Sequence, residues 1–413
     1  MFNDATPGVE GHLLEKMRVG YIGFDPTAPA LTLGNFVQIM ILKLFQLSGH
    51  KPIIIMGGAT GRIGDPSGKA KERELKSFDE LDGNLETQML SFHKFLDFEG
   101  DNKAEFRNNL DIYKNMNVLD FLRDVGKSLT VNYMMSKTSV KKRVETGLSF
   151  TEFSYQLIQG YDFQYLYEND DVTIQMGGSD QWGNITTGTE FIGKNIDGGK
   201  AYAVTTPLLT KADGSKFGKS EEGNIWLDAK LTSPYKFYQF WINAADDDIA
   251  RFTRYFSLKS RAEIEALEAA HDENPNNMKK ALGEELVIRV HGQQAFESVE
   301  KVSGLLFNKK ASNEYLMGLS SDDLATVAEE IPSFEVANTN LPDAVNVVDL
   351  ITEHATIMSS KGEAKRAIKG NAISINKVKV SADDFEIKKS DWLHNKYLMI
   401  ENGKKNKYIL SLN

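Results

Sequence analysis

The stretch that decides the fold is VGYIGFDPTAPALTLGNFVQ, which runs from Val19 to Gln38. It opens with an apolar run that is typical of a buried strand in a parallel sheet. Turn-forming residues then interrupt the strand, and a dense apolar segment beginning at Gly34 is long enough for a buried helix. A second apolar run, Pro52 to Met56, comes next. Strand, loop, helix and strand predict a βαβ unit, and therefore an α/β fold with a parallel sheet.

Composition narrows the class of protein. The 413 residues leave room for several domains, and their net charge of −10 argues against nonspecific nucleic-acid binding by the whole surface. There is no cysteine, which excludes disulfides and thiolate chemistry and fits a reducing cytoplasm. No apolar run is long enough to cross a membrane, and the seven histidines are scattered without metal-binding spacing. We therefore expect a cytoplasmic protein with no membrane partner and no metal site of its own.

The C-terminal end differs in charge from the rest of the chain. Residues 359–413 carry twelve Lys and Arg against six Asp and Glu, a net of +6, which leaves −16 on the remainder. A basic module on an acidic body is typical of a polyanion-binding protein, and RNA is the favoured partner. A solubilising tail is the alternative, although the alternation of apolar residues within 372–380 favours a folded domain.

Three polar, Gly-containing segments are candidates for ligand contacts, because ligands of α/β sheets lie beyond the carboxyl ends of the strands. They are GGATGRIGDPSGK at 57–69, GGSDQWGN at 177–184 and KADGSKFGKS at 211–220. The first is a phosphate-side loop or a long surface turn, and it is not a Walker A loop because Ala70 follows Lys69. The third is a mobile cationic loop or a solvated turn.

The pattern of apolar residues predicts four parts. Residues 1–230 are expected to form a domain with a parallel sheet and an inserted helical segment, and 231–310 an α-helical domain. Residues 311–345 lose periodicity and are predicted to be a linker, with a weak subdomain as the alternative, and 346–413 are predicted to form a small α+β domain. Within the helical part, Lys279–Val302 carries apolar residues at helical spacing.

Five motifs in combination resemble the bacterial tyrosyl-tRNA synthetases, a family of class I aminoacyl-tRNA synthetases. They are YIGFDPTAPA, GGATGRIGDPSGK, SFTEFSYQLIQGYDF, MGGSDQWGN and KADGSKFGKS, and the resemblance extends from about Pro7 over nearly the whole chain. It implies a Rossmann-type catalytic domain, and SSKGEAKRAIKGNAISINKVKV near the C-terminus resembles an S4-type RNA-binding domain. It also implies a homodimer made by the inserted helices, with Phe150 near the centre of the interface.

The resemblance implies the reaction as well. Tyrosine would be activated with ATP, accompanied by Mg²⁺, to tyrosyl-adenylate and pyrophosphate, and then transferred to the 3′ end of tRNA(Tyr). Neither step needs a protein nucleophile, so the rate must come from alignment and from donors placed on developing phosphate charge. The residues that match the family's pyrophosphate-holding positions and its signature are Lys69, Arg73, Lys216, Lys219, Thr32 and Asn35.

The same match assigns the remaining site residues. The tyrosine-binding positions are Tyr21, Asp65, Tyr155, Gln159, Asp162, Gln175 and Gln181. Among these, Tyr21 and Asp162 would hydrogen-bond the phenolic hydroxyl. The nucleotide-side positions are Gly23, Asp25, Gly34, Asp180, Phe217 and Gly218, and the RNA-binding positions are Lys361, Lys365, Arg366 and Lys369. The spacing of Tyr155, Gln159 and Asp162 puts them on one face of a helix, where they could converge on one ligand. An ordinary helix face without a ligand shows the same spacing.

The class I signature departs from the family pattern. Thr32-Leu33-Gly34-Asn35 stands where His-Ile-Gly-His is usual. We expect Thr32 to replace the imidazole with a shorter hydroxyl donor and the enzyme to work. Two other interpretations stay open: a tryptophan-specific relative, and an RNA-binding protein on a synthetase scaffold that has lost the activation chemistry.

Overall fold

The structure, a computed structural model, describes most of the chain. The described residues are 1–67, 74–145, 147–220, 223–271, 274–308, 310–337, 341–403 and 406–413, without the side chains of 138, 139 and 142. They form two compact units. The first consists of Met1–Thr232 and Gln239–Val290, and the second of Ser233–Tyr238 and His291–Asn413.

A six-stranded sheet organises the first unit. Its strands are β1 (Asp4–Ala5), β2 (Val19–Phe24), β3 (Lys51–Met56), β4 (Glu105–Asn108), β5 (Val172–Gly178) and β6 (Tyr202–Thr206). Their order is β1-β6-β5-β2-β3-β4, and every neighbouring pair is parallel except β1 with β6. The chain therefore builds outward from β2 in one direction through β3 and β4, and in the other through β5 and β6. Ligands of such sheets bind where the strand order reverses, which here lies between β2 and β5. The predicted α/β fold is confirmed.

Helices cover this sheet and extend the first unit. They are α1 (Val9–Glu15), α2 (Leu33–Leu47), α3 (Phe78–Phe92), α4 (Leu110–Tyr113), α5 (Val118–Asp120), α6 (Val131–Ser136), α7 (Thr138–Val144), α8 (Phe150–Asn169), α9 (Trp182–Asn195), α11 (Asp246–Phe256), α12 (Arg261–Ala269) and α13 (Pro275–His291). The residues of α10 (Pro234–Ile242) are divided between the two units. A hairpin of β7 (Lys219–Ser220) and β8 (Gly223–Asn224) follows the cationic loop. The central strands pack on α2 through side chains that are fully buried, among them Phe36, Ile39 and Ile54. Burial of this apolar face holds the carboxyl ends of the strands in place.

The second unit is small and of mixed α and β structure. Its helices are α14 (Gln293–Phe307), α15 (Asn313–Met317), α16 (Ser321–Glu330), α17 (Val347–Asp349) and α18 (Lys361–Lys369). Its strands are β9 (Ser333–Val336), β10 (Ala344–Asn346), β11 (Ile373–Ile375), β12 (Val378–Lys379), β13 (Glu386–Lys388), β14 (Tyr397–Asn402) and β15 (Asn406–Leu412). The main sheet has the order β12-β11-β14-β15-β9, and β10 pairs with β13. Buried Ile373, Leu398 and Leu410 lie in one apolar core, which confirms a folded α+β domain at the basic end.

Two local expectations differ from the structure. Residues 311–345, which lack clear periodicity, contain α15, α16 and β9 rather than a linker. The reason is tertiary: β9 adds to β15 as a parallel edge strand, and Leu324 of α16 is fully buried. The helical pattern over Lys279–Val302 is also interrupted, because Gly292 between α13 and α14 has a φ of 93°. That left-handed conformation suits glycine and ends a helix.

Within the described ranges, no helix is both long and apolar enough to cross a membrane.

Candidate active site

A cavity of about 520 Å³ opens at the carboxyl ends of β2 and β5 in the first unit. Its wall contains most of the residues that the sequence singled out: Tyr21, Gly23, Asp25, Thr32, Gly34, Asn35, Asp65, Tyr155, Gln159, Asp162, Gln175, Asp180 and Gln181. They come from strands, from loops, from the start of α2 and from α8, and they meet only because the fold brings these elements together. The cavity is therefore the candidate site of this fold.

Asp162 is the most deeply buried carboxylate of the wall, at 3% exposure. Its Oδ1 accepts a hydrogen bond of 2.6 Å from the Tyr113 hydroxyl, and its Oδ2 accepts one of 2.9 Å from Asn109 Nδ2. Burial raises the pKa of Asp162 to about 7, although these two hydrogen bonds act in the opposite direction. The group is thus a carboxylate poised to change charge near neutral pH.

The wall also contains polar atoms that no protein group satisfies among the described residues. They are the Tyr21 hydroxyl and the side-chain carbonyl oxygens of Gln159 and Gln175, all fully buried. Burial raises the pKa of Tyr21 well above its usual range, so its hydroxyl stays protonated and able to donate. Unpaired buried polar atoms are costly, which is acceptable where a polar ligand completes the pairing.

A second carboxylate, Asp25, lies at the end of β2. It accepts hydrogen bonds of 2.9 Å from the Tyr155 hydroxyl and 2.6 Å from the Thr60 hydroxyl. Asn109 Nδ2 donates both to Thr60 Oγ1, at 3.1 Å, and to Asp162. A continuous chain of hydrogen bonds therefore connects the two carboxylates and fixes both orientations.

Asp65 is a third carboxylate of the wall, and two donors fix its orientation. Ser67 N donates to its Oδ1 at 2.9 Å, and Gln181 Nε2 donates to its Oδ2 at 2.7 Å. Asn184 Nδ2 braces the cluster, at 3.2 Å from both Ser67 Oγ and Gln181 Oε1. Nearby, burial and then the Asp65 charge raise the pKa of Asp180. These carboxylates give the cavity a negative wall that suits a cationic amine.

The start of α2 carries the altered signature. The Thr32 hydroxyl donates to Asn35 Oδ1 at 2.7 Å and accepts from Asn35 N at 3.3 Å, while Asn35 Oδ1 accepts from Thr32 N at 2.9 Å. This is a reciprocal capping box. In this structure the Thr32 hydroxyl proton points to Asn35, and the role of Thr32 as a shorter replacement for the imidazole donor stays a prediction. Among the described residues the Asn35 amide nitrogen has no hydrogen-bond partner, so it is the donor that the signature offers.

The cationic loop is exposed but anchored at its base. Lys216 and Lys219 are solvent-exposed and do not line the cavity. Phe217 between them is buried, with its ring 4.9 Å from that of Phe252 and 5.3 Å from that of Phe256. The Phe217 ring therefore anchors the loop by packing, and its assignment as a nucleotide-side position stays a prediction.

The glycine after this anchor sits against the start of α2. Gly218 has a φ of 77°, and a Cβ there would lie 3.1 Å from Gly34 N. Ala212 N donates to Asp248 Oδ2 at 3.0 Å, and Lys211 Nζ donates to Lys219 O at 3.1 Å. The contact with Asp248 attaches the base of the loop to α11, and Gly218 places the loop beside the N-terminus of α2.

Several predicted residues lie elsewhere. Lys69 and Arg73 fall outside the described residues. The four RNA-binding candidates are on α18 of the second unit. There Lys361 pairs with Asp349 and Glu353, and Lys365 pairs with Asp383, while for Arg366 and Lys369 no ion pair is found within the described ranges.

Sequence reasoning missed Thr60, Asn109 and Tyr113. Thr60 and Asn109 follow the carboxyl ends of β3 and β4, so their positions beside a parallel sheet were a usable signal. Tyr113 ends the short helix α4 and carries no such signal. Its contact with Asp162 depends on how α4 packs against α8.

Comparisons with known proteins agree with this architecture. The profile of the family "tRNA synthetases class I (W and Y)" matches residues 15–308, and that of the "Tyrosine--tRNA ligase SYY-like C-terminal domain" matches 323–411. The chain is 51% identical to the tyrosine–tRNA ligase of Cytophaga hutchinsonii, over 100% of this chain and 97% of the relative. It is 48% identical to that of Bacteroides fragilis, over 99% and 97%.

A solved structure has the same fold over most of this chain. The C-terminally truncated mitochondrial tyrosyl-tRNA synthetase of Aspergillus nidulans superposes with a TM-score of 0.65 at 28% identity, covering 74% of this chain and 91% of that one. The two family profiles and the relatives together cover nearly the whole chain. This chain belongs to the tyrosine–tRNA ligase family of class I tRNA synthetases.

Proposed function

We propose that the cavity of the first unit activates L-tyrosine with ATP and that the chain then transfers tyrosine to tRNA(Tyr). In the first step the carboxylate of tyrosine attacks the α-phosphate of ATP, which gives tyrosyl-adenylate and releases pyrophosphate. In the second step a ribose hydroxyl at the 3′ end of the tRNA attacks the acyl carbon and AMP leaves. The observation that carries the proposal is the buried pair of Tyr21 and Asp162 at the switch point of the sheet.

Recognition of tyrosine follows from the polar groups of the wall. The Tyr21 hydroxyl donates a hydrogen bond to the phenolic oxygen of the substrate. The phenolic hydroxyl of the substrate in turn donates a hydrogen bond to ionised Asp162. Asp65, Tyr155 and Gln159 surround the α-ammonium, whose charge suits the negative wall. A phenylalanine side chain would leave Tyr21 and Asp162 unpaired, and unpaired buried polar groups are strongly disfavoured. An indole places its single donor elsewhere, which disfavours tryptophan.

ATP occupies the end of the cavity next to α2. Gly23 and Gly34 are exposed, and a Cβ on either would meet no protein atom closer than 3.4 Å, so both leave room for the nucleotide. Asn35 and the lysines of the cationic loop supply donors for charge that develops on the leaving pyrophosphate. Lys69 and Arg73 have the same role in the proposal. Catalysis is by alignment and charge stabilisation, since no covalent enzyme intermediate is required.

We assign Mg²⁺ to the ATP rather than to a site built by the protein. Among the described residues there is no group of three or more His, Asp or Glu that could hold a metal ion. Mg²⁺ commonly keeps its waters and binds through substrate phosphates with one or two carboxylates, which this acidic cavity can provide. When bound, it would neutralise part of the phosphate charge.

The exposed apolar residues around α5 to α8 support a homodimer. Val118, Leu119, Val131 and Phe150 are each more than 60% exposed, which is unusual for side chains of this size in one region. A second copy of the same surface is the occupant that we propose, as the family resemblance implies. Sedimentation of the Phe150→Glu variant is expected to give monomers where the parent chain gives dimers. Dimers that persist in this variant would contradict the assignment.

The test of the activation step is ATP–pyrophosphate exchange, run with tyrosine, phenylalanine and tryptophan in parallel. We expect exchange with tyrosine alone. Exchange with tryptophan would favour the tryptophan-specific interpretation. Absence of exchange with all three would favour an RNA-binding protein without activation chemistry.

The test of the RNA step uses charge reversal on α18. The Arg366→Glu/Lys369→Glu variant is expected to lower tRNA charging at subsaturating tRNA while leaving pyrophosphate exchange unchanged. The Lys301→Glu/Lys310→Glu variant is the matched control, because it reverses two exposed lysines of the same unit that lie outside α18. Equal losses in the two variants would contradict a role for these particular residues. Since the tRNA and the ribosome are cytoplasmic, we place the enzyme in the cytoplasm.

A further inference from the structure

Tyr113 makes a contact that no sequence motif anticipated. Its hydroxyl is 2.6 Å from Asp162 Oδ1 and 2.9 Å from the carbonyl oxygen of Ile158, one turn earlier on α8. A phenol has one proton, so it can donate fully to only one of these acceptors at a time. The choice between them depends on whether Asp162 carries a charge.

We propose that Tyr113 is a positioning residue that sets the affinity and specificity for tyrosine by holding Asp162 ionised and correctly oriented. This inference rests on the proposed function, in which Asp162 accepts the phenolic hydroxyl of the substrate. Tyr113 does not touch the substrate in this scheme. It acts only through the carboxylate.

The geometry explains how Tyr113 would act. Donors reach both oxygens of Asp162, from Tyr113 on one side and from Asn109 on the other, so the carboxylate cannot rotate without breaking a hydrogen bond. Each oxygen still has a lone pair for a further donor. The Tyr21 hydroxyl has no hydrogen-bond partner among the described residues, so it is the other group of the wall that can bind the same phenolic hydroxyl. The substrate hydroxyl therefore finds an acceptor and a donor already in place.

Protonation of Asp162 reverses the hydrogen bond. The neutral acid would donate to the Tyr113 oxygen, and the Tyr113 proton would turn to Ile158 O. Asp162 would then have lost its charge, and its affinity for the substrate hydroxyl would fall. Tyrosine binding should therefore weaken as the pH falls through the pKa of Asp162.

The groups that face Asp162 determine this pH range. Tyr21 lies on β2, Asp25 follows β2, and Asn109 and Tyr113 follow β4. Burial and the Asp25 charge favour the neutral acid, whereas the hydrogen bonds from Tyr113 and Asn109 favour the carboxylate and lower its pKa. Removal of the Tyr113 hydroxyl should thus raise the pKa of Asp162.

The experiment is ATP–pyrophosphate exchange with the Tyr113→Phe variant, followed from about pH 5.5 to pH 9. At neutral pH we expect the KM for tyrosine to rise about tenfold and kcat to stay within about twofold. The acidic limb of kcat/KM should move to higher pH. The inhibition constant of phenylalanine against tyrosine-dependent exchange should not change, because phenylalanine has no hydroxyl to meet Asp162, so discrimination between the two amino acids in binding falls by the same factor.

Tyr161→Phe is the matched control. Tyr161 lies one residue before Asp162, its ring is 6.1 Å from that of Tyr113, and it makes no hydrogen bond with Asp162. Removal of the Tyr161 hydroxyl should change neither the KM for tyrosine nor the pH profile of kcat/KM.

Three outcomes are distinguishable. Parent enzyme with no tyrosine-dependent exchange would overturn the proposed function itself. Active parent enzyme with an unchanged KM and pH profile in Tyr113→Phe would overturn only the role of Tyr113. A fall in kcat without a change in KM would also overturn it, since an effect through the ground-state pocket must appear in KM.

Discussion

The two ends of the cavity are built in opposite ways. At the amino-acid end, Asp162 is joined by hydrogen bonds through Asn109 and Thr60 to Asp25, the carboxylate predicted on the nucleotide side, and these contacts are buried or half-buried in the first unit. At the phosphate end, the cations of the 211–220 loop are exposed and only the loop base is anchored. In the proposed function, specificity therefore rests on buried groups with fixed partners, while charge stabilisation rests on solvent-exposed groups.

Physical chemistry explains the difference. A buried polar group must be paired or must await a ligand, so the amino-acid end can recognise a hydroxyl only if its partners are fixed beforehand. A lysine would lose hydration on burial, which lowers the pKa and removes the charge that phosphate needs. Exposed lysines on an anchored loop avoid that cost, and in the proposed function they stabilise the developing charge.

The largest effect should come from the phosphate end. Loss of either cation, in Lys216→Ala or Lys219→Ala, is expected to slow adenylate formation about 10²- to 10³-fold while the KM for tyrosine changes little. Single-turnover formation of tyrosyl-adenylate measures it. Lys230→Ala, which removes another exposed lysine of the same unit, should have no effect. A rise in the KM for tyrosine of similar size would break the division between the two ends.

At the amino-acid end, we expect the substitution of Asp162 to weaken recognition of tyrosine and to stabilise the fold. Asp162→Asn is expected to lower kcat/KM for tyrosine about 10²-fold, through the loss of a charged acceptor. The same change should raise the free energy of unfolding at pH 8 by about 1–3 kcal/mol, because it removes a buried charge. Denaturant titration measures the stability, and exchange kinetics measure the activity.

The pH dependence of that gain has a definite sign. The folded-state pKa of Asp162 is raised to about 7 by burial, above its ordinary value of 3.8. The folded state therefore binds the proton more tightly than the unfolded chain, and this group's contribution to stability falls as the pH rises between these values. The advantage of Asp162→Asn should accordingly shrink toward pH 4. An equal advantage at pH 4 and pH 8 would contradict a charge-based origin.

The altered signature should have an intermediate effect. Thr32→Ala removes the capping box, at a cost of about 1 kcal/mol in stability, and frees Asn35 from its fixed position. We expect adenylate formation to slow about tenfold, with Thr32→Ser close to the parent enzyme. Ser260→Ala removes a comparable capping box from α12 and should cost stability without activity. Unchanged adenylate formation in Thr32→Ala would show that the cap has no part in the chemistry.

The same contrast separates what the sequence could predict from what it could not. Tyr21 and Asp65 follow from motifs and from their places beside a parallel sheet, and the structure puts both in the cavity wall. The orientation of Thr32 toward Asn35 was beyond reach, because a hydroxyl that can cap a helix can equally donate to a ligand. The burial of Phe217 and the contact of Tyr113 with Asp162 depend on tertiary packing, for which no local pattern exists.

The smallest predicted effect concerns the space beside β2. A Cβ on Gly23 would meet no protein atom within 4 Å, and the residue is exposed on the cavity wall. Gly23→Ala should therefore leave the folded protein intact and intrude only on the nucleotide, raising the KM for ATP about threefold with little change in the KM for tyrosine. Gly83→Ala on α3, where a Cβ also meets nothing, is the matched control and should change neither constant. If the KM for tyrosine rises instead, then Gly23 belongs to the amino-acid end, and the boundary between the rigid and the exposed halves of the cavity lies closer to α2 than we infer.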